Sequence, residues 1–215
     1  INGRPLTLPW ESQNVAAILE AWAPGTEGGN AIADVIFGDY NPAGKLTATF
    51  PFHAGQIPLY YNHKNTGRPM QAENKFSSKY LDIPSNPLYP FGYGLSYTTF
   101  AYSDIRLNKV MLKGNDTLTV TVTVSNTGKY AGEEVVQLYI RDPVASISRP
   151  VKELKNFKKI MLQPGEKKEV TMKITPDDLK FYNSSLQYDW EPGDFTVFVG
   201  TNSRDVNSAD FNWVK

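Results

Sequence analysis

The sequence predicts an α/β fragment followed by an all-β antiparallel sandwich. Up to about residue 50, apolar residues recur at helical spacing between Gly/Pro stops. From Phe100 onward they recur every second residue to the end. Between the two parts lies Leu88-Tyr89-Pro90-Phe91-Gly92-Tyr93-Gly94-Leu95-Ser96-Tyr97-Thr98-Thr99-Phe100, with five aromatics, two glycines and a proline. Such a segment reads first as glue between lobes, because aromatic rings dominate packing. Tyr, Phe and Gly also suit a sugar site.

Taken in order, residues 1–10 read as the end of a strand and a turn, through Asn2-Gly3-Arg4-Pro5 and then Leu6, Leu8 and Trp10. Val15, Ile18, Leu19 and Trp22 fall at i, i+3, i+4 and i+7, which predicts a helix with Ser12 as N-cap, ending at Ala23-Pro24-Gly25. A second helix follows Thr26 or Gly28, with Ile32, Val35 and Ile36 on one face and Gly38 as its stop. Asn41-Pro42-Ala43-Gly44 is a turn, and Leu46 to Phe50 a short strand. One and a half strands cannot cover two apolar helix faces, and a core this small is marginal. The lobe therefore reads as the end of a larger α/β domain. The opening Ile1-Asn2-Gly3, without Met or signal peptide, fits a piece of something longer.

Residues 51–87 carry five prolines and little periodicity, which predicts an ordered strap crossing a surface. Then come alternating runs: Leu118/Val120/Val122/Val124, Val136/Leu138/Ile140, Val170/Met172/Ile174 and Phe195/Val197/Val199. Lys113-Gly114-Asn115-Asp116, Asn126-Thr127-Gly128, Pro164-Gly165 and Pro192-Gly193 punctuate them. About 115 residues suit seven strands. Without the Cys…Trp…Cys spacing of antibody domains, a fibronectin type III-like sandwich is favoured. The expected boundaries are residues 1–52 for the α/β end, 53–99 for the strap and 100–215 for the sandwich.

Of the 215 residues 40% are apolar and 20% charged, with Lys+Arg and Asp+Glu both 22. That balance gives no electrostatic reason to expect nucleic acid or an anionic membrane as partner. No apolar run approaches the roughly 18 residues of a membrane span. Cysteine is absent, and His53 and His63 are the only histidines. Thiol catalysis and disulfides are thereby excluded and zinc is nearly so. No metal or other cofactor is expected.

Carboxylates remain as catalytic candidates. Glu133 and Glu134 are neighbours on a strand and point to opposite faces, so they cannot flank one bond. Asp177 and Asp178 sit in a solvated turn. Asp189 and Glu191 would lie on one strand face with Cα atoms roughly 6.5–7 Å apart, spacing that suits an inverting acid/base pair. Their place beside Pro192-Gly193 at a sheet edge argues against a water-excluding site. No G-x-S-x-G motif accompanies the two histidines. Gly92-x-Gly94 lacks a third spaced glycine and a following helix, so it is no nucleotide loop. Trp22 to Gly29 could cradle an anion at a helix start, but a tight loop between packed helices explains the same glycines. The residues alone supply no complete catalytic apparatus.

The run from Ala21 to Leu46, with Trp22-Ala23-Pro24-Gly25-Thr26-Glu27-Gly28-Gly29 and Gly38-Asp39-Tyr40-Asn41-Pro42-Ala43-Gly44, resembles the end of the second domain of glycoside hydrolase family 3. Asn65-Thr66-Gly67-Arg68-Pro69, Lys79-Tyr80-Leu81-Asp82, Pro87 to Phe100, Ser148 to Phe157, Leu162 to Glu166 and Glu191-Pro192-Gly193 continue the resemblance. It is strongest to bacterial periplasmic β-glucosidases. It implies a barrel, an α/β sandwich and a fibronectin III-like domain in that order, and retaining hydrolysis of β-linked glycosides in the periplasm or outside the cell. It also implies an Asp nucleophile on the barrel and a Glu acid/base upstream of the Asn-Gly-Arg-Pro segment. Neither position exists in this chain, so no catalytic residue is carried over and the chain is expected to be inactive alone. The resemblance places the strap near the active-site rim, which makes Arg68, Tyr80, Asp82, Phe91 and Tyr93 candidates for rim or inter-domain contacts. Its partners would be a β-linked saccharide, the barrel and α/β domains, and a second copy of the chain. The alternative is a non-catalytic carbohydrate- or protein-binding sandwich, or a dimerisation domain.

Overall fold

The structure is a computed structural model and describes residues 1–71 and 73–215. In the first lobe the helices are α1 (Glu11–Asn14) and α2 (Gly28–Phe37). Gly38 ends α2 in the left-handed conformation, φ 87°, and donates its N–H to Val35 O. Gly28 is the close approach at its start, where a Cβ would lie 2.6 Å from Pro24 Cγ.

The expected helix over Val15–Trp22 does not form. Only the single turn Glu11–Asn14 is helical, Val15 is extended at φ −112°, ψ 149°, and the following residues run without helical bonds. Val15, Ile18 and Leu19 are exposed, so the apolar face that would stabilise a helix here packs against nothing among the described residues. Ser12 is inside the turn rather than its cap, and its Oγ donates to Pro9 O. Residues 1–8 form no strand either.

The strand expected at Leu46–Phe50 is a looser version of itself. It runs antiparallel to the aromatic stretch, with Leu46 N–H donating to Tyr93 O, Gly92 N–H to Leu46 O, and Phe50 and Tyr89 exchanging both bonds. Only Phe50–Tyr89 closes a regular bridge. The aromatic stretch is thus the pairing partner of the α/β lobe's last extended segment.

The sandwich holds eleven strands among the described residues: β1 (Phe100–Tyr102), β2 (Arg106–Leu107), β3 (Met111–Lys113), β4 (Leu118–Asn126), β5 (Gly132–Arg141), β6 (Glu153–Leu162), β7 (Lys167–Ile174), β8 (Phe181–Tyr182), β9 (Tyr188–Asp189), β10 (Gly193–Gly200) and β11 (Val206–Val214). In one sheet β4 pairs with β7 on one edge and with β1 and β2 on the other. The second sheet has the order β3-β11-β10-β5-β6. The count exceeds seven because the first strand breaks into β1, β2 and β3 as it crosses between sheets, and because β8–β9 is an extra hairpin. The pairing of β3 with β11 is parallel, a departure from a purely antiparallel sandwich.

Leu118, Val120, Val122 and Val124 alternate inward with solvent-side threonines, as the period of two requires. They meet Val136, Leu138, Val197, Val199 and Trp213 in one core. Strand β5 departs from alternation, since Gln137 and Tyr139 are buried on the outer face as well. Something covers that face, and it is the strap.

Candidate functional site

Polar and aromatic side chains interlock at the junction where aromatic stretch, strap and β5 meet. Alternate residues of the stretch face opposite ways. Tyr89 and Tyr93 stack at 5.1 Å, and Tyr89 meets Phe50, which meets Trp22, edge to face at 6.4 and 5.8 Å. Phe91 turns to the sandwich and stacks on Tyr61 of the strap at 4.3 Å, with Tyr61 edge-on to Tyr139 at 5.9 Å. Gly92 sits between the two ladders at φ 80°, where a Cβ would fall 2.1 Å from Gln137 Oε1. Gln137 Nε2 donates to Gly92 O and Thr201 O, and its Oε1 accepts from Tyr139 OH. Burial pushes the Tyr139 phenol far up, so it acts as a fixed donor.

A second knot lies beside it. Lys45 Nζ donates to Gly94 O, Glu134 Oε2 and Thr201 Oγ1, and Tyr102 OH donates to Glu134 Oε1 at 2.8 Å. Burial first, and then the Glu134 charge, hold Tyr102 protonated well beyond the ordinary range. Asn41 ties the same lobes together, donating to Ala131 O while its Oδ1 accepts from Ser96 Oγ and Tyr97 N–H. Next to Asn41, a groove of about 760 Å³ opens between α2 and the sandwich, lined by Phe37, Tyr40, Tyr97, Tyr130, Glu133 and Met161 among others.

Of the sequence-derived candidates, Phe91 and Tyr93 are half-buried in the two ladders. Arg68, Tyr80 and Asp82 lie on the exposed part of the strap. Ser78 N–H donates to Arg68 O, and Tyr80 OH donates to Gly55 O at 3.3 Å. Arg68 and Asp82 do not pair among the described residues, and neither is buried. The structure therefore splits the five candidates into a packed pair and an exposed trio.

The carboxylates that the sequence singled out are each engaged elsewhere or left apart. Glu133 and Glu134 do face opposite ways: Glu133 bonds Lys159 at 2.5 Å on the open side, and Glu134 is buried. Asp189 is held below the usual carboxylate range by Lys215, 2.6 Å away, and Glu191 by the hydrogen bonds from Ser146. A general acid needs the opposite shift. His53 Nδ1 accepts from Gly55 N–H in a cap, and His63 Nδ1 lies against Lys64 O. Among the described residues no group of three His, Cys, Asp or Glu could hold a metal ion. Sequence reasoning missed Lys45, Gln137 and Asn41, and the one available signal was a charged or amide residue in an otherwise inward-facing or turn position.

An α/β lobe strapped by aromatics to a two-sheet β-sandwich defines a modular architecture. Residues 1–97 match the description "Glycosyl hydrolase family 3 C-terminal domain" and residues 134–203 "Fibronectin type III-like domain". The chain belongs to glycoside hydrolase family 3. It is 55% identical over 98% of its length to a periplasmic β-glucosidase of Salmonella typhimurium, of which it spans 28%. To a β-xylosidase of Formosa agariphila it is 46% identical, over 95% of this chain and 28% of that one. The β-glucosidase of Listeria innocua, solved in complex with glucose, superposes with a TM-score of 0.94 at 48% identity, covering all of this chain and 30% of that one. The chain thus spans a little over a quarter of these relatives.

Proposed function

We propose that this chain is the C-terminal part of a retaining β-glycosidase of β-glucosidase type, acting on O-glycosidic bonds of β-linked saccharides, and that it supplies no reacting carboxylate itself. The observation that carries the reading is the match to β-glucosidases along nearly the whole chain, set beside the candidate carboxylates Glu133, Asp189 and Glu191, each held by a partner of its own. Its role is to hold the strap in place against the sandwich. The exposed trio Arg68, Tyr80 and Asp82 would face the substrate rim, and Phe91 and Tyr93 would serve inter-domain packing. The working division is residues 1–52, 53–99 and 100–215, and the periplasm or cell exterior is the proposed location.

The test is an assay of the purified chain on an aryl β-glucoside. No turnover is expected. Turnover abolished by Asp189→Asn or Glu191→Gln would overturn the reading. A second reading, self-association, is favoured by Phe37, Tyr130 and Met161 standing exposed around one groove. Sedimentation velocity across a concentration series separates monomer from dimer.

A further inference from the structure

Hairpin β8–β9 carries side chains that the core does not use. Tyr182 and Tyr188 are direct cross-strand partners, their ring centroids 5.0 Å apart and tilted by 45°. They are 65% and 58% exposed. Neither hydroxyl is engaged by a hydrogen bond among the described residues. Between Phe181 and Tyr188 there is no charged residue, only Tyr182, Asn183, Ser184, Ser185, Leu186 and Gln187.

The turn that presents these rings is fixed. Asn183 N–H donates to Gln187 O, and the Asn183 side-chain oxygen accepts from the N–H groups of Ser185 and Gln187. Ser184 N–H reaches Ser146 Oγ of the neighbouring loop. Leu186 stands at the tip with φ 58°, a left-handed conformation that a leucine side chain disfavours, and it is 82% exposed. A rigid turn holding apolar groups out into water at the cost of an unfavourable backbone angle is a feature that packing does not explain.

We propose that Tyr182 and Tyr188 form a stacking platform for a neutral β-linked gluco-oligosaccharide. A pyranose ring with equatorial substituents presents an apolar C–H face and a rim of hydroxyls. The two tyrosines present the matching surface, an apolar ring and a polar tip. The amides and hydroxyls of Asn183, Ser184 and Gln187 add uncharged hydrogen-bonding groups, and the flanking charges are already paired with each other, Lys180 with Asp177 and Lys215 with Asp189, which favours a neutral ligand. The size also decides between occupants. A stable protein partner needs roughly 1,000 Å² or more of buried surface, far beyond a two-ring hairpin, whereas two rings whose centroids are 5.0 Å apart match a single pyranose unit and its neighbour. The choice of β-linked glucose rests on the proposed β-glucosidase reading; the platform geometry does not.

Cellopentaose titrated into the 215-residue chain, followed by calorimetry and by the tyrosine ring resonances, should bind weakly and saturably. Replacing both rings, Tyr182→Ala with Tyr188→Ala, should weaken binding about tenfold or more. Tyr182→Phe should keep most of it, and all variants should melt with the parent because the rings lie outside the core. A parent chain with no saturable binding, or a double variant that binds equally, overturns the proposal. Should the double variant melt early, the ring resonances of the parent chain decide: shifts of Tyr182 and Tyr188 at saturation support the platform, and silence overturns it. Shifts that follow protein concentration instead of sugar would report a second copy and overturn the sugar assignment. Hydrolysis plays no part in this readout, so a failed platform leaves the proposed parent activity standing. Turnover by the chain alone would sink that activity reading and leave the platform untouched.

Discussion

Lys45 Nζ lies 3.0 Å from Glu134 Oε2, joining the α/β lobe to strand β5 through side chains that are only 11% and 2% exposed. Both charges are fully hydrogen-bonded, the lysine by Gly94 O and Thr201 Oγ1, the carboxylate by Tyr102 OH. That completeness is what makes a buried pair tolerable, and it also makes either half costly to remove. Lys45→Met should destabilise the chain by about 3–5 kcal/mol in guanidinium unfolding, because Glu134 is left buried and unpaired. Lys45→Met with Glu134→Gln should recover most of that loss. Additive losses in the double variant would show that the two residues act independently.

Gly92 is a tight contact between stretch and sandwich. An added Cβ meets Gln137 Oε1 at 2.1 Å in a left-handed backbone, φ 80°. Gly92→Ala should cost about 2–4 kcal/mol from backbone strain and overpacking together. Gly165→Ala is the control: its φ is 77° but the space around it is open, so only about 1 kcal/mol is expected. Equal losses at the two positions would mean that contact with Gln137 contributes nothing.

These two knots mark the limit of what the sequence reveals. The sandwich was legible because one face of each long strand is buried, and burial writes a period of two into β4, β7 and β10. Helix α2 was legible through Gly38. The stretch after Val15 departs from the expected helix because its apolar face, Val15, Ile18 and Leu19, is left exposed, and helical spacing without a packing partner does not hold a helix. Lys45 and Glu134 are 89 residues apart, and no local pattern links them. Gln137 reads as the polar side of an alternating strand, and only the strap laid over it turns it into a buried hub. Arg68, Tyr80 and Asp82 are exposed on the strap, and no periodicity or spacing in the sequence marks them out.

Asp142 gives a signed pH dependence. Burial raises its folded value above the unfolded 3.8, and the Arg149 guanidinium, 4.0 Å away, opposes the rise without cancelling it. The folded state therefore holds the proton to higher pH than the unfolded state does. The group's contribution is most favourable at low pH and declines as pH rises from 3.8 through the folded value. Asp142→Asn removes that slope. The difference in unfolding free energy between parent and variant, plotted against pH, should grow in the variant's favour across this window and then level. A flat difference would mean that Asp142 titrates as it does in the unfolded chain.

Tyr61 is where the strap is pinned, and its loss should be felt locally before it is felt globally. Its ring stacks on Phe91 and meets Tyr139, and its hydroxyl accepts from Leu154 N–H at 3.2 Å. Tyr61→Phe removes only the hydrogen bond and should cost about 1 kcal/mol. Tyr61→Ala removes the stack as well and should cost about 2–3 kcal/mol. The strap's other anchors differ in strength: Val151 N–H donates to His63 O, while residues 62–71 are exposed throughout. Without the ring, this segment should open by local unfolding while the sandwich core keeps its own free energy. Hydrogen exchange and limited proteolysis should then show faster exchange and new cuts between residues 60 and 80 in Tyr61→Ala, with amides of β4 and β10 unchanged. Uniform acceleration across the sandwich would instead mean that strap and sandwich unfold as one unit.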